Sequence, residues 1–146
     1  MLAIKRCSVN DLNNVVEALN NVKNEEDDIK SDINAITKFL EDNNNLFYTA
    51  HLDGKVVAYA VAYIQRRLDS EKSMVCLYEI GTSKQHRKQG IAKKLIMYMI
   101  NDLKDRNILK IWIPTNKSNT AACSLYKSIG AEESEEKDEI IYTYRM

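Results

Sequence analysis

The sequence holds little proline, glycine or cysteine: one Pro, four Gly and three Cys among 146 residues. So few of the first two exclude a collagen-like or low-complexity chain. No Pro- or Gly-rich linker and no internal repeat divides it, so residues 1–146 are read as a single domain. Cys7, Cys76 and Cys123 are odd in number, widely spaced and never set as C-x-x-C. That pattern argues against a disulfide framework and against a zinc site, and predicts a reducing compartment and no metal. Charge of one sign is not in excess either, since 21 Lys and Arg balance 21 Asp and Glu. A protein that grips nucleic acid phosphates usually carries a basic surplus, so no nucleic acid partner is expected. No apolar run is long enough to span a bilayer, and no membrane association is expected. The first residues, "MLAIKRCSVND", carry no long apolar segment followed by a small-residue cleavage site, which predicts a cytoplasmic protein. What is present is 45% hydrophobic and 29% charged residues, a globular composition. A chain of this length buries about 68–70% of its unfolded surface.

Along the chain, "LAIKRC" alternates loosely and predicts a first strand. Ser8 caps a helical pattern, with Asp11 as its partner and Leu12, Val15, Val16 and Leu19 at helical spacing. "NNVKNEEDDIKSD" interrupts the pattern and reads as a loop. Ile29, Ile33, Ile36 and Leu40 form a second amphipathic stripe. "LFYTAHL", Asp53-Gly54 and "KVVAYAVAYI" have the strand–turn–strand form of a hairpin, and "SMVCLYEIGT" is a further strand. A long helix follows, with Ile91, Leu95, Met99 and Leu103 on one stripe. "ILKIWIP" reads as a short buried strand, "NTAACSLYKSIG" as a short helix stopped at Gly130, and "DEIIYTYRM" as a last strand. The order predicts an α/β chain with a mixed central sheet and helices on both faces.

Chemistry concentrates between Tyr78 and Leu95. A strand ends in "YEIGT", a polar turn "SKQHRKQG" follows, and a helix begins near Gly90. A helix start exposes unpaired N–H groups and the positive end of the dipole, which suits a phosphate or pyrophosphate. Gly90 removes a side chain where backbone would approach the anion, and Arg87, Lys88, Lys93 and Lys94 add positive charge. The alternative is a helix start with solvated basic residues. The turn is neither a Walker A loop nor the dinucleotide G-x-G-x-x-G. In "NTAACSLYKSIGA", Asn119, Ala122 and Tyr126 share a helical face, where Tyr126 offers a phenol able to protonate a departing thiolate. The alternative is a core tyrosine with its hydroxyl satisfied by backbone.

Together these stretches resemble the GNAT N-acetyltransferases. Arg87-Lys88-Gln89-Gly90-Ile91-Ala92 looks like the R/Q-x-x-G-x-G/A signature, and "NTAACSLYKSIGA" is similar to the later N-x-x-A-x-x-L-Y-x-x-x-G segment. The element order agrees over essentially the whole chain. Within the superfamily, the stretch from Phe39 to Ala131 is most similar to the aminoglycoside 3-N-acetyltransferases. The resemblance implies the GNAT fold, with a twisted, mostly antiparallel sheet. It implies that the main chain of Ile80, Gly81 and Thr82 pairs with the pantetheine arm of acetyl-CoA. It also implies that the N–H groups of Arg87, Lys88, Gln89, Gly90, Ile91 and Ala92 hold the pyrophosphate, that Asn119 contacts the coenzyme, and that Tyr126 protonates the thiolate. The sequence departs from the usual pattern at Gly81-Thr82, where a bulkier apolar pair is common, and at Ala92, where the motif often ends in Gly.

Glu79, next to Ile80, is a candidate base for the attacking amine, directly or through water; the alternative is a solvent-facing carboxylate. Regular strand alternation would point Tyr78 and Glu79 to opposite faces. His86 reads as an exposed turn residue, His51 is remote from it in sequence, and Cys123 reads as a small buried hydrophobe. In the GNAT fold the linker that carries Glu25, Glu26, Asp27 and Asp28 commonly borders the acceptor side, where such acids would attract a polycation. The expected activity is therefore transfer of an acetyl group from acetyl-CoA to a primary amine, of aminoglycoside or polyamine type, with no metal. The rivals are a protein or peptide N-acetyltransferase and a catalytically idle acetyl-CoA-binding module. The C-terminal strands are available for pairing between subunits of a homodimer.

Overall fold

In the computed structural model, residues 1–23, 31–136 and 138–146 are described. Glu25, Glu26, Asp27, Asp28 and Ile29 lie outside the described residues. Strand β1 (Leu2–Arg6) leads through a 3-10 turn (Val9–Asp11) into helix α1 (Leu12–Ala18). The expected capping box forms there: Asn10 N–H donates to the Ser8 hydroxyl, and Ser8 N–H donates to the Asp11 carboxylate. Helix α1 does not stop at Ala18. It runs on as a π-helical turn (Leu19–Lys23) that buries Val22, so the loop expected from "NNVK" is helical. Burial of one apolar side chain outweighs the weak helix propensity of Asn.

Helix α2 (Ile33–Glu41) is capped by Asp32, whose side chain accepts from Ala35 N–H. It buries Ile36 and Leu40 but leaves Ile33 exposed. Strands β2 (Asn45–Leu52) and β3 (Lys55–Gln65) form the expected hairpin around Asp53 and Gly54, both at positive φ. Strand β4 (Ser73–Thr82) precedes helix α3 (Ile91–Leu103), and strand β5 (Ile108–Trp112) precedes helix α4 (Thr120–Ser128). The sheet order is β1-β2-β3-β4-β5, antiparallel except for the parallel β4–β5 pair.

Each face of the sheet carries its own core. On one, α3 inserts Ile91, Leu95, Ile96, Met99 and Leu103 against Tyr48, Ala60, Ala62, Val75 and Leu77, with Leu125, Tyr126 and Ile129 of α4 at the margin. On the other, Val15, Ala18, Val22, Ile36 and Leu40 cover Phe47, Tyr59 and Val61. Polar ties also hold helices to the sheet. Glu17 of α1 accepts from Val56 N–H at 2.9 Å, and the Tyr48 hydroxyl donates to Asp102 of α3 at 2.8 Å.

Two expectations fail at the C-terminal end. Strand β5 is not buried: Leu109 and Trp112 are exposed, because β5 has β4 on one edge only and little covers its faces. The tail, expected as a strand, has no secondary structure, and Ile140, Ile141, Tyr142 and Tyr144 are exposed. Strand propensity is a preference for a packed pleated surface, and the tail docks on none.

Candidate active site

The site grows from an irregularity in β4. Val61 pairs with Glu79 and Ala62 with Leu77, so Tyr78 is an extra residue with no partner in β3. This is a β-bulge, and it resets the alternation of the strand. Leu77 and Ile80 therefore both face α3, while Tyr78 and Glu79 both lie on the α1/α2 face. The expectation that Tyr78 and Glu79 point opposite ways is corrected by that one inserted residue. Near the same level, β4 loses its other neighbour. Pairing with β5 ends at Cys76 opposite Trp112, so among the described residues no strand lies along the outer edge of residues 77–82. The outer edge of Ile80, Gly81 and Thr82 thus carries no strand partner among the described residues.

Past Thr82, the turn is tied down from several sides. Ser83 N–H donates to Val57 O at 2.9 Å, the Ser83 hydroxyl and His86 Nδ1 are 2.7 Å apart, and Arg87 Nε donates to Thr82 O at 3.1 Å. His86 is therefore a half-buried brace of the turn rather than a free surface residue. Arg87 N–H is turned back on Lys84 O, at 3.5 Å. The N–H groups of Lys88, Gln89, Gly90, Ile91 and Ala92 have no hydrogen-bond partner among the described residues. They form a concentrated set of donors at the positive end of α3. Gly90 sits at φ +76°, and a Cβ there would meet nothing within 4 Å. The glycine is required by the left-handed backbone that turns the chain into the helix, and the space beside it is open. These features fit the pyrophosphate and pantetheine of a coenzyme A thioester: a run of unpaired donors for the anion, and a strand edge for an amide-bearing arm.

On the α1/α2 face the site is made of side chains. The Tyr59 hydroxyl donates to Glu79 Oε1, and Lys23 Nζ lies 3.1 Å from Glu79 Oε2. Burial, followed by the hydrogen bond to Glu79, pushes the Tyr59 phenol well above its usual pKa, so it stays a donor. The ring is stacked on Phe47 at 5.7 Å between centroids. It also lies across Gly81, where a Cβ would stand 2.7 Å from Tyr59 Cε1. That close approach accounts for the departure from the usual bulky pair at Gly81-Thr82. Tyr63 and Tyr78 meet edge to face at 5.7 Å beside Glu79.

Tyr126 sits on the opposite side of the sheet, half-buried against the α3 core. None of the hydrogen bonds among the described residues engages its hydroxyl. Burial first, then Cys123, raises its pKa, so the phenol is protonated at neutral pH. Asn119 is the N-cap of α4, with Oδ1 accepting from Ala122 N–H at 3.1 Å. Cys123 is half-buried, its thiol reaching Asn116 O at 3.7 Å. His51 bonds Thr49 at 2.9 Å near the β1 edge, apart from this cluster. Sequence reasoning missed Tyr59 and Lys23. Tyr59 was readable only with the β3–β4 register, which sets it opposite Gly81. Lys23 had no signal at all. Among the described residues no group of His, Cys, Asp and Glu is placed to hold a metal, and no helix is long and apolar enough to cross a membrane.

The profile of the acetyltransferase (GNAT) family matches residues 12–131. The [Ribosomal protein bS18]-alanine N-acetyltransferase of Escherichia coli (strain K12) is 30% identical over 81 residues, which cover 56% of this chain and 51% of that protein. The chain spans about half the length of the curated relatives it matches first. Among solved structures, an aminoglycoside acetyltransferase from an uncultured soil metagenomic sample, in complex with sisomicin, superposes with a TM-score of 0.87. It is 24% identical, with 99% of this chain and 97% of that one covered. The aminoglycoside N-acetyltransferase AAC(6')-Iy in complex with CoA gives a TM-score of 0.78 at 19% identity, with 100% and 96% covered. Likeness at those identities concerns the fold.

Proposed function

The chain belongs to the acetyltransferase (GNAT) family, and from that premise we propose that it is an acyltransferase that moves the acetyl group of acetyl-CoA onto a primary amine of a cationic small molecule. The observation that carries the reading is the free outer edge of β4, with unpaired donors at the start of α3 on one side and the Glu79 carboxylate on the other. Acetyl-CoA, as the second substrate, brings an acyl carbon activated by its thioester. Residues 88–92 hold its pyrophosphate through main-chain N–H groups, and the backbone of Ile80, Gly81 and Thr82 orients the arm and offers N–H to the developing oxyanion. Arg87 contributes by bracing the turn through Thr82 O, and Asn119 by fixing the start of α4 beside the coenzyme.

The acceptor approaches from the α1/α2 face. Glu79 accepts a proton from its ammonium, directly or through water, and the freed nitrogen attacks the thioester carbon. The C–N bond forms, the nitrogen gives up its second proton to solvent, the C–S bond breaks, and the thiolate leaves toward Tyr126 on the other face, to be protonated there or by solvent. A phenol with a raised pKa is a weaker acid than a thiol, so Tyr126 stabilises the thiolate chiefly by donating a hydrogen bond, and solvent replaces any proton given up. A carboxylate flanked by Tyr59, Tyr63 and Tyr78 suits an ammonium group, by charge and by the negative faces of the rings. This favours an aminoglycoside or polyamine. The relatedness to an alanine N-acetyltransferase supports a second reading, a protein N-terminus as acceptor.

Release of the CoA thiol, followed with a thiol reagent, tests these readings together. Sisomicin and spermidine are expected to support turnover, and a peptide with an N-terminal alanine to be slower. Faster turnover of the peptide selects the second reading. CoA binding without turnover on any amine, or a Glu79→Gln variant as fast as the parent, overturns the catalytic assignment.

A further inference from the structure

Glu79 has no free oxygen. Oε1 takes the Tyr59 hydroxyl and Oε2 takes Lys23 Nζ, across 56 positions of sequence. The second contact is unlike the first. Tyr59 is clamped between Phe47 and Gly81 and cannot leave without disturbing the core. Lys23 ends the π-helical turn on a long side chain, and nearly half of that side chain is exposed (46%), whereas Glu79 is at 27%. Its head group is a primary ammonium, the same chemical group as the acceptor under the reading above, on which this inference rests. Lys23 brings one positive charge beside the one negative charge of Glu79, so among the described residues this pair is neutral.

We propose that Lys23 sets the affinity of the acceptor side: its ammonium stands on Glu79 where the acceptor's ammonium would stand, and every amine binds in competition with it. A solvent-accessible pair of this kind is worth little, so it can be displaced by a ligand with further contacts. A small monoamine, which offers only the one group that Lys23 already supplies, gains little by the exchange. An amine with additional hydrogen-bonding groups gains those contacts as well. The cost is the same for every amine, so Lys23 sets a threshold that an acceptor passes only by making contacts beyond the one ammonium.

Calorimetric titration of sisomicin and of spermidine into the parent protein, Lys23→Met and Lys23→Arg tests this without needing turnover. Lys23→Met, which keeps the apolar stem and removes the charge, is expected to bind the amines about two- to fivefold more tightly. Lys23→Arg restores the competing cation and is expected to match the parent, and CoA affinity is expected to be the same in all three. In a Glu79→Gln background the Lys23→Met change is expected to have no further effect, because the shared position is gone. Unchanged or weaker amine binding by Lys23→Met overturns the proposal, as does a lower kcat at unchanged affinity, which would make Lys23 a positioning residue for Glu79. Failure to bind either amine in parent and Lys23→Met alike also overturns it. Failure of the catalytic reading is distinct: it shows as CoA release unaffected by Glu79→Gln, whatever Lys23→Met does to binding.

Discussion

The two sides of the outer half of β4 are built from different materials. Toward α3, the site is main chain: a strand edge at residues 80–82 and unpaired N–H groups at residues 88–92. Toward α1 and α2, it is side chains locked to one another, Tyr59 on Glu79, Lys23 on Glu79, Tyr63 on Tyr78. A main-chain site tolerates changes of residue type except where a glycine sets the backbone. A side-chain site depends on each member and on the register that brings them together. The first suits a coenzyme whose chemistry never varies, and the second suits an acceptor.

The largest expected effect breaks the division, because it puts one decisive side chain on the coenzyme face. Tyr126→Phe is expected to lower CoA release by roughly 10²–10³-fold where chemistry limits the rate, the loss of one hydrogen-bond donor to a developing anion. CoA affinity and thermal midpoint should stay close to the parent's, since only a hydroxyl is lost. Equal turnover would leave Tyr126 a packing residue and the division intact.

Gly90→Val sharpens the division on the main-chain side. A β-branched residue at φ +76° costs about 1–2 kcal/mol or more, which corresponds to CoA affinity weaker by roughly 5–30-fold if the turn yields. Gly90→Asn, which tolerates that backbone, should retain most of the affinity. Titration calorimetry with CoA separates these outcomes, and full affinity in the Val variant would remove the turn from the coenzyme site.

Gly81→Ala does the same on the side-chain side. The new methyl would meet the Tyr59 ring, which must shift and release Glu79. A loss of about 1–3 kcal/mol in urea unfolding is expected, with amine turnover reduced more than CoA affinity. Unaltered turnover in Gly81→Ala would show that the Tyr59–Glu79 bond does not position the base.

The smallest effect is at Asn119. Asn119→Ala should cost about 1 kcal/mol of stability through the lost α4 cap, and Asn119→Asp should recover it. If Asn119 also touches the coenzyme, the Asp variant keeps its stability yet binds CoA less well, because it adds negative charge beside a pyrophosphate.

Much of this molecule is readable without coordinates. The Asp53-Gly54 hairpin, the Ser8–Asp11 capping box, the buried stripe Ile91, Leu95, Met99, Leu103 and the glycine turn before α3 all follow from local rules. Each depends on residues a few positions apart, where backbone geometry links sequence directly to space. The coenzyme side belongs to this class, since strand end, turn and helix start are contiguous.

The rest was settled only by tertiary structure. Tyr78 and Glu79 share a face because one inserted residue shifts β4 against β3, and no composition marks a bulge. Tyr59 and Lys23 reach Glu79 from 20 and 56 residues away. Strand β5 and the tail kept their strand-like composition but not the burial expected of it, because burial is a property of what packs alongside. Sequence by itself determined most of the strands and helices and the glycine turn that opens α3, since those are matters of local backbone geometry. Which side chains meet around Glu79 was decided by register and packing, which exist only once distant segments are in contact.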